Sequence, residues 1–245
     1  TAKGGRPHAE VEALKMAGES AKGATLYVSL EPCNHTGKSA PCTEAIMASG
    51  ITRVVVACTD LNSHVSGRGI AQLRAAKIEV VEGVREQEAV ILQRGFFSVM
   101  QRQRPWVMLK CATSADGMVA TQAGESKWIT GEASRRHVHQ LRSQSDAVVT
   151  GIGTVLADNP SLDCRVAGLE SRSPVRVVLD RRERMEEATK MLHDGGAEVW
   201  RYAEDSLQKV VEDLAMRGIT RLMVEAGATL NAAFLKAGLV DEIYW

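Results

Sequence analysis

Three short stretches put metal-binding and proton-moving side chains where helices should begin. In "GGRPHAEVEAL" (4–14), His8 and Glu10 stand two apart behind Pro7. Helix faces repeat every three or four residues, so this pair cannot share one side of a regular helix and can converge only in its first turn. Pro32-Cys33 follows an apolar run, and Pro41-Cys42 opens "TEAIMASG". Proline suits the first helical position, where its missing N–H costs nothing, so the pattern predicts helix starts at all three points. A thiol in a first turn feels the positive end of the helix, which favours the thiolate that a metal needs. One nitrogen from His8 and two sulfurs from Cys33 and Cys42 suit a single zinc ion. Three protein ligands leave a fourth position for water, whose pKa zinc can bring to about 7. Glu10 is then the proton carrier. Two plainer readings stay open: His35 closing the set into a structural clip, or cysteines that are simply core residues.

The second half carries a different pattern. "DAVVTGIGTVLADNPSL" (146–162) and "RLMVEAGATLNAAFL" (221–235) each run from an apolar strand through glycine into a helix. Gly151, Gly153 and Gly227 let backbone N–H groups approach an anion closely, and the helix end adds a favourable dipole. Neither stretch completes G-x-G-x-x-G, so a classical dinucleotide fingerprint is unsupported. Routine tight turns explain the glycines equally well.

The elements that must position these residues alternate. Helical periodicity from residue 8 gives way to a strand at 24–30, a loop, and a helix over 42–50. Strand 51–58, helix 69–77, strand 78–84 and helix 86–101 follow. After the polar break "QRQRP" (101–105) the pattern restarts with strand 106–112 and helix 133–144. It continues with strands at 146–150, 175–180 and 197–202, helix 206–218, a strand from 221, helix 230–238 and a strand opening at "VDEIYW". Such alternation predicts α/β architecture with crossover helices on the sheet faces. The break near Gln103 divides the chain into domains 1–103 and 104–245.

Composition narrows the function classes. With 245 residues, 44% hydrophobic and 24% charged, two modest domains can each bury a core. Thirty Lys plus Arg balance thirty Asp plus Glu, and aromatics are only 4%, which argues against a nucleic-acid partner. No apolar run approaches the roughly 18 residues of a membrane span. An odd, widely spaced set of five cysteines argues against a disulfide framework and points to a reducing cytoplasm, where the paired Cys33 and Cys42 suggest metal and Cys58 and Cys111 read as small buried hydrophobes.

His-x-Glu followed by Pro-Cys and a later Cys is the signature of zinc deaminases. Here "GGRPHAEVEAL", "YVSLEPCNHTGKSAPC" and "DLNSHVSGRGIAQLRAAKIEV" resemble the deaminase half of the bifunctional deaminase/reductases of riboflavin biosynthesis. Eight residues separate Cys33 from Cys42, and that long insert is characteristic of the riboflavin enzymes. The resemblance implies His8, Cys33 and Cys42 as zinc ligands, Glu10 as proton shuttle, and His35, Lys38 and Asn62 as substrate contacts. "LKCATSADGMVA", "SKWITG", "LRSQSDAVVTGIGTVLADNPSLDCR", "VRVVLD" and "VEAGATLNAAFLKAGLVDE" resemble the reductase half. That half implies a dihydrofolate-reductase-like fold using NADPH, after a cytidine-deaminase-like three-layer α/β/α domain.

By the same resemblance, cofactor contacts fall at Ala112, Ser126, Trp128, Thr154 and Asp158. They continue through Gly227, Ala228, Thr229, Leu230, Asn231, Ala232 and Ala233. Substrate contacts fall at Lys110, Arg142, Leu162, Arg165 and Glu225, with Arg142 and Arg165 suited to grip a phosphate. His137 and His139 read as an exposed helix face without chemistry. The implied reaction is deamination of 2,5-diamino-6-(5-phosphoribosylamino)pyrimidin-4-one, with zinc-activated hydroxide as nucleophile. Reduction of the ribosyl group to ribityl follows, in a homo-oligomer. A zinc deaminase of another nucleoside or nucleotide fused to a similar reductase is the alternative. The family carries further elements before residue 1 and after residue 245, so both domains are expected to be truncated at their outer ends.

Overall fold

The computed structural model describes residues 7–36, 40–61 and 66–245. Lys38, Asn62 and His64 fall outside them. The chain divides into two units, Thr1–Gln101 and Arg102–Trp245.

In the first unit, α1 (Ala9–Ala17), α2 (Cys42–Ala48) and α3 (Arg68–Ala75) alternate with β1 (Thr25–Val28), β2 (Arg53–Val56) and β3 (Glu79–Glu82). The strands form a parallel sheet in the order β1-β2-β3, with Val28 opposite Val56 and Val56 opposite Glu82. Strand side chains alternate between faces. Val54 and Val56 therefore pack with Ile46, Ile70, Leu73 and Ile78, the apolar stripes of α2, α3 and the turn before β3. Val55 faces the other way, beside Tyr27, Ala57 and residues Ala89 and Leu92 of α4 (Glu86–Arg102). The result is helices on both faces of one sheet.

The second unit holds β4 (Trp106–Lys110), α5 (Glu132–Ser143), β5 (Ala147–Gly151), α6 (Ile152–Asp158) and β6 (Val175–Leu179). After them come β7 (Val199–Tyr202), α7 (Leu207–Met216), β8 (Arg221–Val224), α8 (Ala228–Lys236) and β9 (Glu242–Tyr244). All six strands are parallel, in the order β7-β6-β5-β8-β4-β9. Parallel sheets are buried on both faces, which explains the near-continuous valine and leucine runs. Val107, Val149, Val177 and Val224 pack with Val211 and Leu214 of α7 and Phe234 of α8. Met108, Val148, Val178 and Met223 pack on the other face with Leu141 of α5 and Val155 of α6. Each such side chain contributes roughly 1.5–3 kcal/mol by leaving water.

One expected helix start is absent. No helix starts at Cys33: residues 31–36 are irregular, and the helix after that loop begins only at Cys42. The loop is long enough to present a thiol without a helix of its own. The helix expected over 86–101 is present and ends one residue later, at Arg102, inside the polar stretch 101–105. Gln and Arg are good helix formers; the helix stops at Gln103, whose φ of 56° leaves the helical region.

Candidate active sites

One loop and two helix starts assemble the first site. His8 is the N-cap of α1, in extended conformation, so its ring projects forward off the helix while Glu10 lies in the first turn. Cys42 is the first residue of α2, behind Pro41 at its N-cap. The backbone N–H of Cys42 donates to the Cys33 sulfur at 3.3 Å, so the α2 terminus serves the thiol that has no helix. His8 Nδ1 lies 3.2 Å from Cys42 Sγ and 3.5 Å from Cys33 Sγ. All three ligand atoms fall within 4.8 Å of one another. Tetrahedral zinc with its usual Zn–N and Zn–S bonds would hold a nitrogen and a sulfur about 3.6 Å apart, so the set fits the ion. His35 is exposed and is not among the clustered ligand atoms, which disfavours the closed clip.

Electrostatics point the same way. Without a metal, the Cys33 thiol is brought down to about 5, first by its hydrogen bond with the Cys42 side chain and, against burial, by the Cys42 N–H and His8. Cys42 is pushed up, first by the same hydrogen bond, then by burial and by the nearby Glu10 carboxylate. Metal binding requires both thiols as thiolates, so a divalent cation would displace any proton held between them. Glu10 therefore stands beside the cluster, as the two-residue spacing from His8 required.

The second site lies at the carboxyl ends of adjacent strands, where ligands of parallel sheets bind. Gly227 caps α8, whose N-terminus has no side-chain cap, and a Cβ on Gly227 would sit 3.9 Å from Thr154 Oγ1 of α6. A Cβ on Gly151 would sit 3.4 Å from the Leu230 side chain. The two glycine turns are thus neighbours, at the ends of β5 and β8. Asn231 is buried; its amide N–H reaches Cys111 Sγ at 3.5 Å, while its Oδ1 finds no partner among the described residues. Uncapped helix N–H groups and an unsatisfied buried acceptor fit a phosphate-bearing ligand that also donates hydrogen bonds. Ala112 follows β4, and Ala228, Thr229, Ala232 and Ala233 lie along α8. Ser126 is half-buried, and Trp128 is exposed with the Arg135 guanidinium 4.4 Å from its ring centre. Asp158 pairs with Lys127 at 3.2 Å.

The expected substrate contacts cluster with some surprises. Arg142 of α5 donates Nε and Nη2 to the two Glu225 oxygens at 2.9 and 2.8 Å, and Lys110 Nζ lies 3.6 Å from the same carboxylate. Burial would raise Glu225, but Arg142 and Lys110 outweigh it and hold the carboxyl below the usual range. The Arg142 fork is therefore already engaged, contrary to a free phosphate grip. Arg165 Nε lies 3.0 Å from both Asp163 oxygens, with its side chain largely exposed. Leu162 buries its side chain in the core beneath α5 and α6, with φ 53°, so a substrate contact there would come from its main chain. His139, read as surface, is half-buried and accepts the Arg165 N–H at 3.3 Å. Its imidazole is pushed down, first by burial and then by Arg142. The three-residue step from His139 to Arg142 on one helix face was the available signal.

The chain as a whole is similar to known proteins. Residues 105–245 match the RibD C-terminal domain, and residues 2–58 match the cytidine and deoxycytidylate deaminase zinc-binding region. The riboflavin biosynthesis protein RibD of Bacillus amyloliquefaciens is 42% identical, over 98% of this chain and 71% of that protein. The chain belongs to the RibD family. RibD of Escherichia coli is 41% identical, over 98% of this chain and 74% of its own length. Among solved structures, Acinetobacter baumannii RibD superposes with a TM-score of 0.86 at 42% identity, over 98% of this chain and 72% of that one. A Thermotoga maritima diaminohydroxyphosphoribosylaminopyrimidine deaminase/5-amino-6-(5-phosphoribosylamino)uracil reductase superposes with the same TM-score at 38% identity, over 98% and 72% of the two chains. The two RibD units are thus a cytidine-deaminase-like domain and a dihydrofolate-reductase-like domain. No described helix is long and apolar enough to cross a membrane.

Proposed function

We propose that this chain carries out two consecutive steps of riboflavin biosynthesis, with residues 1–103 as the deaminase and residues 104–245 as the reductase. The first step removes an amino group from 2,5-diamino-6-(5-phosphoribosylamino)pyrimidin-4-one. The second reduces the ribosyl group with NADPH, giving 5-amino-6-(5-phosphoribitylamino)uracil. One observation carries the reading: an imidazole nitrogen and two sulfurs from three separate segments gather within 4.8 Å, beside Glu10.

His8, Cys33 and Cys42 would hold one zinc ion, which supplies Lewis acidity that makes water nucleophilic near neutral pH. Glu10 accepts the proton that the attacking water loses and gives it to the ring nitrogen; it then takes a second proton from the added hydroxyl and gives it to the amine, which leaves as ammonia as the carbonyl forms. His35, Lys38 and Asn62 bind the substrate. In the reductase, the turns at Gly151 and Gly227 and the α8 terminus bind the phosphates of NADPH, which supplies hydride. Trp128, Ser126, Thr154, Asp158 and Ala112 contact the same cofactor, a role that family likeness supports. The exposed Arg165 takes the substrate phosphate, and Arg142 holds Glu225 as an acceptor for sugar hydroxyls. Lys110, beside Glu225, and Asp158, paired with Lys127, are the two groups from which the reductase step would draw its proton. The balanced charge suits a small phosphorylated pyrimidine rather than nucleic acid, and five free cysteines suit the cytoplasm. A homo-oligomer is the expected assembly.

The test is Glu10→Gln. Zinc content stays at one per chain, ammonia release falls about a hundred- to ten-thousand-fold, and NADPH oxidation with the deaminated substrate is unchanged. Undiminished ammonia release would reject Glu10 as the proton carrier and the catalytic reading with it.

A further inference from the structure

The geometry points to Glu31 and Gln72 as positioning residues that set the separation of the two sulfur ligands, using α3 as a rigid spacer. Neither belongs to the ligand set. The inference rests on the zinc reading above and extends it to residues that never touch the ion.

Glu31 immediately precedes Pro32-Cys33 and is 3% exposed. Its Oε1 accepts the N–H groups of Gly69 at 2.9 Å and Ile70 at 3.2 Å. Its Oε2 accepts those of Gly67 at 2.9 Å and Asp60 at 3.2 Å. No side chain of its own caps α3, so Glu31 satisfies that terminus from the cysteine loop. The approach is close: a Cβ on Gly69 would lie 2.1 Å from the Pro32 carbonyl oxygen, which leaves room only for glycine. The first turn of α3 is therefore pressed against the peptide leading into Cys33.

One turn further along the same helix face, Gln72 Oε1 accepts the hydroxyl of Thr43 at 2.9 Å. Thr43 is fully buried and directly follows Cys42, and its own N–H donates to the Cys33 carbonyl at 3.2 Å. A single helix face thus grips the backbone before one thiol and the side chain after the other. Outer groups of this kind orient metal ligands and are worth about ten- to a hundred-fold in affinity.

The experiment uses the full chain loaded with zinc, and separately with cobalt(II), in Glu31→Gln and Gln72→Met. An amide at position 31 offers one acceptor oxygen where the carboxylate offered two, so one pair of N–H groups faces an NH2. Methionine at 72 keeps the volume and removes the acceptor, at a half-buried position where the fold tolerates it. Three readouts are taken: zinc release to a chelator, the visible spectrum of the cobalt form, and reductase turnover of deaminated substrate as a check on the rest of the chain. Zinc release about ten- to a hundred-fold faster, with shifted sulfur-to-cobalt bands and unchanged reductase turnover, supports the proposal. Gln72→Glu, which restores an acceptor for Thr43, should recover the wild-type cobalt spectrum. Unchanged release and spectra in both variants overturn it while leaving the zinc centre intact. A wild-type chain that binds neither metal overturns the zinc reading itself, and this proposal with it.

Discussion

Glu225 sits between Lys110 and Arg142 at the end of a buried strand, and its ionised form depends on both. Removing one partner from a buried pair usually costs about 3–5 kcal/mol, because the other charge is left uncompensated. Glu225→Gln should therefore lower stability by a few kcal/mol in denaturant titration. It should also raise the reductase KM for the uracil substrate about ten-fold while ammonia release stays constant; an unchanged KM would place Glu225 outside the substrate site. The types of these residues were legible in the sequence, but their mutual engagement was not. A guanidinium that suits a phosphate equally suits a carboxylate, and only the fold brought Glu225 within reach of Arg142. Leu162 shows the converse: a position inferred from likeness turned out to bury its side chain, because a left-handed backbone there rotates it into the core.

At the scale of elements, Asp241 fastens the start of β4 to the turn before β9. Its oxygens accept Arg104 Nη1 at 2.6 Å and Nη2 at 2.8 Å, Arg102 Nη1 at 2.6 Å, and the Val107 N–H at 2.8 Å. Burial would raise this carboxyl, but Arg104, the Val107 amide and Arg102 hold it below its ordinary value. A depressed folded value means that its stabilisation is complete above the unfolded pKa, about 3.9, and fades as pH falls through the depressed value. Asp241→Asn should cost about 3 kcal/mol at pH 7, and the difference from wild type should shrink below pH 4 in acid unfolding curves. A difference independent of pH would mean that ionisation of Asp241 contributes nothing. Helices and strands themselves were readable from periodicity, because each buries one stripe or one face. Their ends were less so. α4 ended one residue beyond the expected 101, inside the polar stretch, and Cys33 had no helix because loop conformation follows from where the chain must go next.

Across the whole molecule, each activity has its own unit and its own cofactor. Stripping zinc with a chelator should abolish ammonia release from the diaminopyrimidine. NADPH oxidation with the deaminated substrate should stay within two-fold of the untreated chain, and readding zinc should restore the first step. Parallel loss of both activities would show that the metal supports more than the deaminase site. The order of two α/β units was legible from the alternation of patterns. The strand order β7-β6-β5-β8-β4-β9 was not, since β8 inserts between β5 and β4 through contacts distant in sequence.

By itself, the order of residues determined the element types, the two-part organisation, and which nitrogen, sulfur and carboxylate groups were available for chemistry. These are local properties, carried by periodicity, helix-start preferences and side-chain type. Only the tertiary structure decided that His8, Cys33 and Cys42 converge, that Glu31 caps a helix remote in sequence, and that Arg142 spends its fork on Glu225. Those outcomes depend on distances set by packing between segments dozens of residues apart, which no local pattern encodes.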